Sequence, residues 1–293
     1  MGNLRGSLLM VAAMTGFSLE DVLIKQLASS LPMGQVIVLI GCGGALNFGV
    51  LARLRGQRLL PPALLSRPVL LRNLAEAIAA VSFVSALVLT TLSGASAILQ
   101  TTPLALTMGA ALFLGESVGW RRWTAIGAGF LGVMMIIQPG LAGFVPASLL
   151  AVVAVAAVAL RDLVSRAIPA DVTGIQLASW AFATLIPAGL LLVLVTGATP
   201  VMPEAPDLVR LAATFVVGGV GYYSLVSATR TGEVSVVVPF RYSRLVFAMI
   251  LGALIFGERP DALMLAGAVL IVGAGLYTIW REARIRRREY GDS

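Results

Sequence analysis

Residues 93–116, SGASAILQTTPLALTMGAALFLGE, and residues 231–258, TGEVSVVVPFRYSRLVFAMILGALIFGE, follow one plan. Each opens on small residues, carries a proline early in an apolar stretch, becomes rich in Gly and Ala, and ends on Gly-Glu. Each then runs into a glycine-rich segment, AIGAGFLGVMMIIQ (125–138) or LAGAVLIVGAGLYTI (265–279). Gly94 to Glu116 is 22 residues and Gly232 to Glu258 is 26, so the match requires an insertion of about one helical turn. Two copies of one apolar device in the two halves of the chain indicate an internal repeat.

The rest of the chain has the same character. Apolar residues make up 58% and charged residues 12%, and the apolar residues form runs near the length that crosses a bilayer. Using about 20 residues per span, ten helices are expected over 5–28, 33–53, 68–90, 95–114, 120–138, 145–162, 172–196, 207–229, 233–256 and 260–280. The breaks carry Gly or Pro, as in SSLPMG, QPGLAGFVP and TGATPVMPEAP. The first run starts basic, but Glu20 and Asp21 follow where small residues would prepare cleavage, so it reads as a retained helix and not a signal peptide.

The net charge of +7 does not indicate nucleic acid, because the basic residues sit in short gaps between apolar runs and in the tail. They set topology instead. With the N-terminus inside, sixteen of the 21 basic residues fall in inner segments; only Lys25, Arg210 and Arg259 fall outside or near it. Both termini are therefore expected in the cytoplasm, with the chain multi-pass in the cytoplasmic (inner) membrane. Five spans per half is an odd number, so the halves enter the bilayer from opposite sides. The expected fold is an all-α integral membrane protein of ten transmembrane helices arranged as two inverted five-helix repeats, 1–143 and 144–282, followed by a basic tail, 283–293.

Ten helices in two halves, closed by LGESVGWRRWTAIGAGFLGVMMI (114–136) and FGERPDALMLAGAVLIVGAGLY (256–277), resemble the EamA family of the drug/metabolite transporter superfamily. The resemblance spans nearly the whole chain and is strongest at 94–137 and 230–282. It implies ten helices around a central cavity and export of small metabolites, amino acids prominent among them. Some members import, and distant ones exchange nucleotide sugars.

Several pattern matches do not survive their context. GESVG (115–119) fits a nucleophile elbow, but that motif needs a strand-to-helix turn and a histidine, and the chain has no histidine. GAGFLG (127–132) fits a dinucleotide fingerprint but lies within a membrane span, where small residues serve close helix packing; GCGGALNFG (41–49) reads the same way. One cysteine, Cys42, and no histidine exclude a disulfide framework, a Cys/His zinc site and histidine-dependent catalysis. No phosphate-binding Gly-Lys-Ser/Thr motif is present, so no ATPase activity or ATPase partner is evident. No cofactor and no enzymatic role are expected.

Charges in the bilayer cost on the order of 3 kcal/mol each and mark candidate sites. Arg241 and Arg244 fall about 10 and 15 Å into the ninth span, three residues apart and on one face. They either neutralise buried acids or line a wetted cavity where a guanidinium meets a substrate carboxylate. Glu76, early in the third span, either pairs with an arginine of the ninth helix or carries a proton. Asp21 and Lys25 have the spacing of a local ion pair, and Glu116 and Glu258 read as helix-end acceptors. Ser82, Gln100, Thr102, Trp180, Tyr222, Tyr223 and Tyr242 complete the candidate substrate contacts, with Pro103 and Pro239 as hinges.

The combined reading is a secondary transporter exporting small metabolites, most readily amino acids with hydrophobic or aromatic ones included, by alternating access. The alternatives are import or exchange of a vitamin, nucleotide sugar or cationic drug, or a membrane scaffold that transports nothing. A scaffold predicts no loss of function on replacing Arg241 or Gln100 by alanine.

Overall fold

The computed structural model describes residues 2–59, 62–116, 118–169, 171–231 and 233–291, as backbone alone at 234–235, 282–283 and 285–291. Among these residues the protein is all helix, without a strand. The helices are α1 (Gly2–Ser30), α2 (Met33–Leu54), α3 (Arg67–Leu89), α4 (Leu92–Leu99), α5 (Thr102–Phe113), α6 (Trp120–Ile137), α7 (Ser148–Ser165), α8 (Gly174–Thr196), α9 (Ala205–Thr231), α10 (Val234–Val237), α11 (Ser243–Phe256) and α12 (Ala262–Gly291). The fourth span is α4 and α5 together; the ninth is α10, a 3-10 turn (Val238–Tyr242) and α11.

Among the described residues nine spans are long and apolar enough to cross a membrane. The tenth expected span forms as α6, an 18-residue helix whose first turn holds Arg121 and Arg122, which dilute its apolar character. The protein is a multi-pass membrane protein. At its C-terminal end α12 runs on to Gly291, so the backbone of the basic tail from 283 to 291 is helical. Asp292 and Ser293 of that tail lie outside the described residues.

The helices group into two compact units that each draw on both halves of the sequence: 1–22, 90–148 and 216–293 in the first, 23–89 and 149–215 in the second. Lipid tails are as apolar as leucine, so helices in a bilayer associate through close packing more than through exclusion of water. In the second unit α2 and α8 approach until a Cβ on Gly34 would lie 2.6 Å from the Gly189 carbonyl oxygen. Phe182 of α8 lies over Gly44 and stacks on Phe48, with ring centroids 5.7 Å apart. The GCGGALNFG stretch is thus a packing surface.

In the first unit the GAGFLG stretch has the same use. A Cβ on Gly132 of α6 would lie 2.8 Å from the Gly267 carbonyl oxygen of α12. Ala97, Leu245 and Ala268 form a buried cluster joining α4, α11 and α12. Met10, Ala13 and Met14 of α1 pack with Ala228 and Val237 in another.

Candidate functional site

Pro103 and Pro239 both fall where a span is broken. Proline lacks an N–H and crowds the carbonyl four residues back, so the helix before it cannot continue regularly. In the fourth span α4 ends at Leu99 and α5 begins at Thr102, with Pro103 in its first turn. The carbonyls freed by the break are taken up locally: Thr101 Oγ1 donates to Ile98 O at 2.6 Å and Thr102 Oγ1 to Leu99 O at 2.6 Å. The Thr102 hydroxyl proton, expected at a substrate, is committed here to the backbone. In the ninth span Pro239 sits in the first turn of the 3-10 segment, and Ser243 Oγ donates to Phe240 O at 2.7 Å.

The two broken spans are joined at two levels. At the breaks, Gln100 Nε2 donates to Arg241 O at 3.0 Å. Farther along, Glu258 reaches the start of α4: Oε1 accepts from Leu92 N at 2.5 Å, and Oε2 accepts from Ser93 N at 3.0 Å and Ser93 Oγ at 2.6 Å. A helix start leaves its first N–H groups without partners and carries a partial positive charge, so a carboxylate is the natural cap. Glu258 is therefore a helix-end acceptor, as its sequence position suggested, but for a helix 165 residues away in sequence. Next to it, Asp261 accepts from Gln138 Nε2 at 2.6 Å and from Met264 N at 2.7 Å, and the Gln138 side chain followed by backbone N–H groups holds its carboxyl below the usual range.

Arg244 and Arg241 part company. Arg244 Nη2 donates to Asp21 of α1 at 3.0 and 2.8 Å, with the side chains only 18% and 4% exposed. The guanidinium also lies over the Phe17 ring, 5.6 Å from its centroid, and Ser18 Oγ donates to Arg244 O at 3.2 Å. Arg244 thus neutralises a buried acid. Asp21, expected to pair along its own helix with Lys25, is held by a residue 223 positions away. Arg241 is exposed.

The second unit has its own ion cluster. Arg161 Nη1 of α7 lies 3.2 Å from both Glu76 oxygens, and Arg72 Nη2 lies 3.1 Å from Glu76 Oε2. Arg161 also donates from Nε to Asp162 Oδ1 at 2.8 Å. Glu76 is ion-paired, but with α7 and its own helix; the expected partner on the ninth helix belongs to the other unit. The reason is that α7 carries the charged pair Arg161-Asp162 at the end of an otherwise apolar run. That interruption was the available signal, although Arg161 also counts among the sixteen inner basic residues that set topology.

Trp180 Nε1 donates to Leu59 O at 2.8 Å. Its ring lines an open groove of about 600 Å³ in the second unit, together with Ala45, Gly49 and Arg53 of α2. Ser82 is buried in α3. Tyr242 is buried against Gly275 of α12, and among the described residues its hydroxyl has no hydrogen-bond partner. Tyr222 and Tyr223 are exposed on α9. Ser82, Glu76 and Trp180 belong to the second unit and the other named candidates to the first.

With this geometry in place the comparisons are decisive at the family level. The EamA-like transporter family matches twice, over residues 4–138 and 145–280. The chain belongs to the EamA-like transporter family. This EamA-like chain is 32% identical over 198 residues to a riboflavin transporter of Rhizobium johnstonii, covering 66% of this chain and 64% of that protein. It is 28% identical to an S-adenosylmethionine uptake transporter of Rickettsia felis over 77% of this chain and 76% of that one. It is 30% identical to a pseudopaline exporter of Pseudomonas aeruginosa over 92% of this chain and 94% of the exporter. A solved crystal structure superposes with a TM-score of 0.57 at 18% identity, covering 96% of this chain and 98% of that chain, which shows a shared fold.

Proposed function

We propose that this EamA-like protein is a secondary transporter of a bacterial cytoplasmic membrane. Its solute is a small metabolite that joins an apolar or aromatic portion to a polar or charged end. Hydrophobic and aromatic amino acids fall within this class, and so do solutes like those named for the relatives. The observation that carries the reading is the family match over both halves of the chain, in a protein whose membrane spans contain paired charges and proline-broken helices. Unwound backbone inside a membrane is sustained where it is buried in protein or lines a wetted path, and it recurs at transporter binding sites.

Alternating access is the mechanism we infer, with the breaks at Pro103 and Pro239 as flexing points and the exposed Arg241 as a candidate contact for a substrate carboxylate. The relatives' names include both uptake and export, so direction is read from experiment. Proteoliposomes carrying the protein are expected to move labelled riboflavin, S-adenosylmethionine or an aromatic amino acid faster than protein-free liposomes. Absence of flux for all three would remove the substrate class.

The orientation we infer from the arginine distribution places both termini in the cytoplasm. A fluorescent protein fused after Ser293 is expected to be bright in cells, and alkaline phosphatase fused there to be inactive. The opposite pair of results would invert the topology.

A further inference from the structure

We propose that Glu20 is the proton-binding carboxylate that couples transport to a proton gradient. This rests on the transporter reading above and goes beyond it. Adjacent acids, Glu20 and Asp21, lie in α1, a 29-residue helix; Glu20 is four residues from its midpoint, about 6 Å along the axis and so within a core about 30 Å thick. Asp21 is neutralised by Arg244. Glu20 is half-buried and, among the described residues, accepts no hydrogen bond and forms no ion pair. The cluster therefore holds two carboxylates and one guanidinium, one negative charge too many for an apolar setting.

Among the described residues, no second cation forms an ion pair with the Glu20 carboxylate. Its carboxylate lies against α9 at Gly218, where a Cβ would meet Oε1 at 2.7 Å, Cδ at 2.9 Å and Oε2 at 3.0 Å. The charged residues of α9, Asp207, Arg210 and Arg230, stand eight or more residues from Gly218. From α11 comes Arg244, whose guanidinium is bound to Asp21; on α1 itself are Asp21 and, five residues on, Lys25. A proton is the simplest neutralising cation. Carboxylate plus proton gives the carboxylic acid, the proton coming from water on one side of the membrane and returning to water on the other, with no electron moved.

The helix crossing suits a change of environment. Next to Glu20 the backbones of α1 and α9 meet at glycines, with a Cβ on Gly16 placed 3.1 Å from the Gly221 Cα. Side chains that would interlock the two helices are absent at Gly16, Gly218 and Gly221. The protonated acid tolerates the close, apolar crossing, whereas the carboxylate favours any arrangement that brings it to water or nearer Arg244. Protonation thus biases one conformation over the other, which is what coupling requires.

Two measurements test this. Infrared pH titration of the protein in phosphatidylcholine liposomes should show a carboxylic-acid carbonyl band on acidification that is missing in Glu20→Gln and displaced in Gly218→Ala, where the added Cβ presses on the acid. In proteoliposomes preloaded with riboflavin or S-adenosylmethionine, Glu20→Gln should retain equilibrium counterflow but lose accumulation driven by an imposed pH gradient. An unchanged acid band in Glu20→Gln, or undiminished gradient-driven accumulation by that variant, would overturn the proposal. If the wild-type protein moved no solute, the transport reading would fail while the infrared titration still judged Glu20.

Discussion

Arg244→Ala is expected to destabilise the protein by roughly 3–5 kcal/mol, the range seen when one partner of a buried ion pair is removed. The substitution leaves the Asp21 carboxylate, 4% exposed, without the two contacts that neutralise it. It also removes the cation lying over Phe17. The loss should appear as a lower midpoint of thermal unfolding in detergent micelles. Asp21→Asn combined with Arg244→Gln should recover much of it, because a neutral hydrogen-bonding pair carries no uncompensated charge. A single Arg244→Ala variant as stable as the wild type would show that the pair does not hold α1 to α11.

Gly189→Leu should be the most damaging change in the second unit. A first side-chain carbon there would meet the Gly34 carbonyl oxygen at 2.6 Å, Val38 Cγ2 at 2.8 Å and Val38 N at 2.9 Å. Two of these are backbone atoms, which cannot turn aside as a flexible side chain can. Overpacking a close-packed interface typically costs 1–3 kcal/mol, and this case sits at or above about 3 kcal/mol because the whole of α2 must move. Gly127→Leu on α6 is the control, since a Cβ there meets nothing within 4 Å. Size-exclusion profiles and thermal unfolding should separate the two; equal behaviour would mean that α2 and α8 can move apart without cost.

Much of the fold was legible because a membrane span is a local property: about twenty apolar residues between Gly and Pro breaks announce themselves without knowledge of neighbours. Pro103 and Pro239 likewise marked the broken spans, since the lost hydrogen bond belongs to the residue itself. The ion pairs were not legible. Arg244 was a visible anomaly, yet nothing local could select Asp21, 223 residues away, over Glu76. Glu76 in turn found Arg161, a residue that charge counting had already assigned to topology. For Glu258 the chemistry was readable and the recipient was not, because a carboxylate at a helix end can cap its own turn or the start of another helix.

That cap has a mechanical consequence. Glu258 pins the start of α4 to the segment just beyond α11, and Gln100 pins the interruption of one span to that of the other. A plate riveted at two points can tilt but cannot shear, so the two interrupted spans are expected to move together. Under the alternating-access reading proposed above, any bending at the two breaks is therefore expected to be shared between the spans, and removing either link would let each bend on its own.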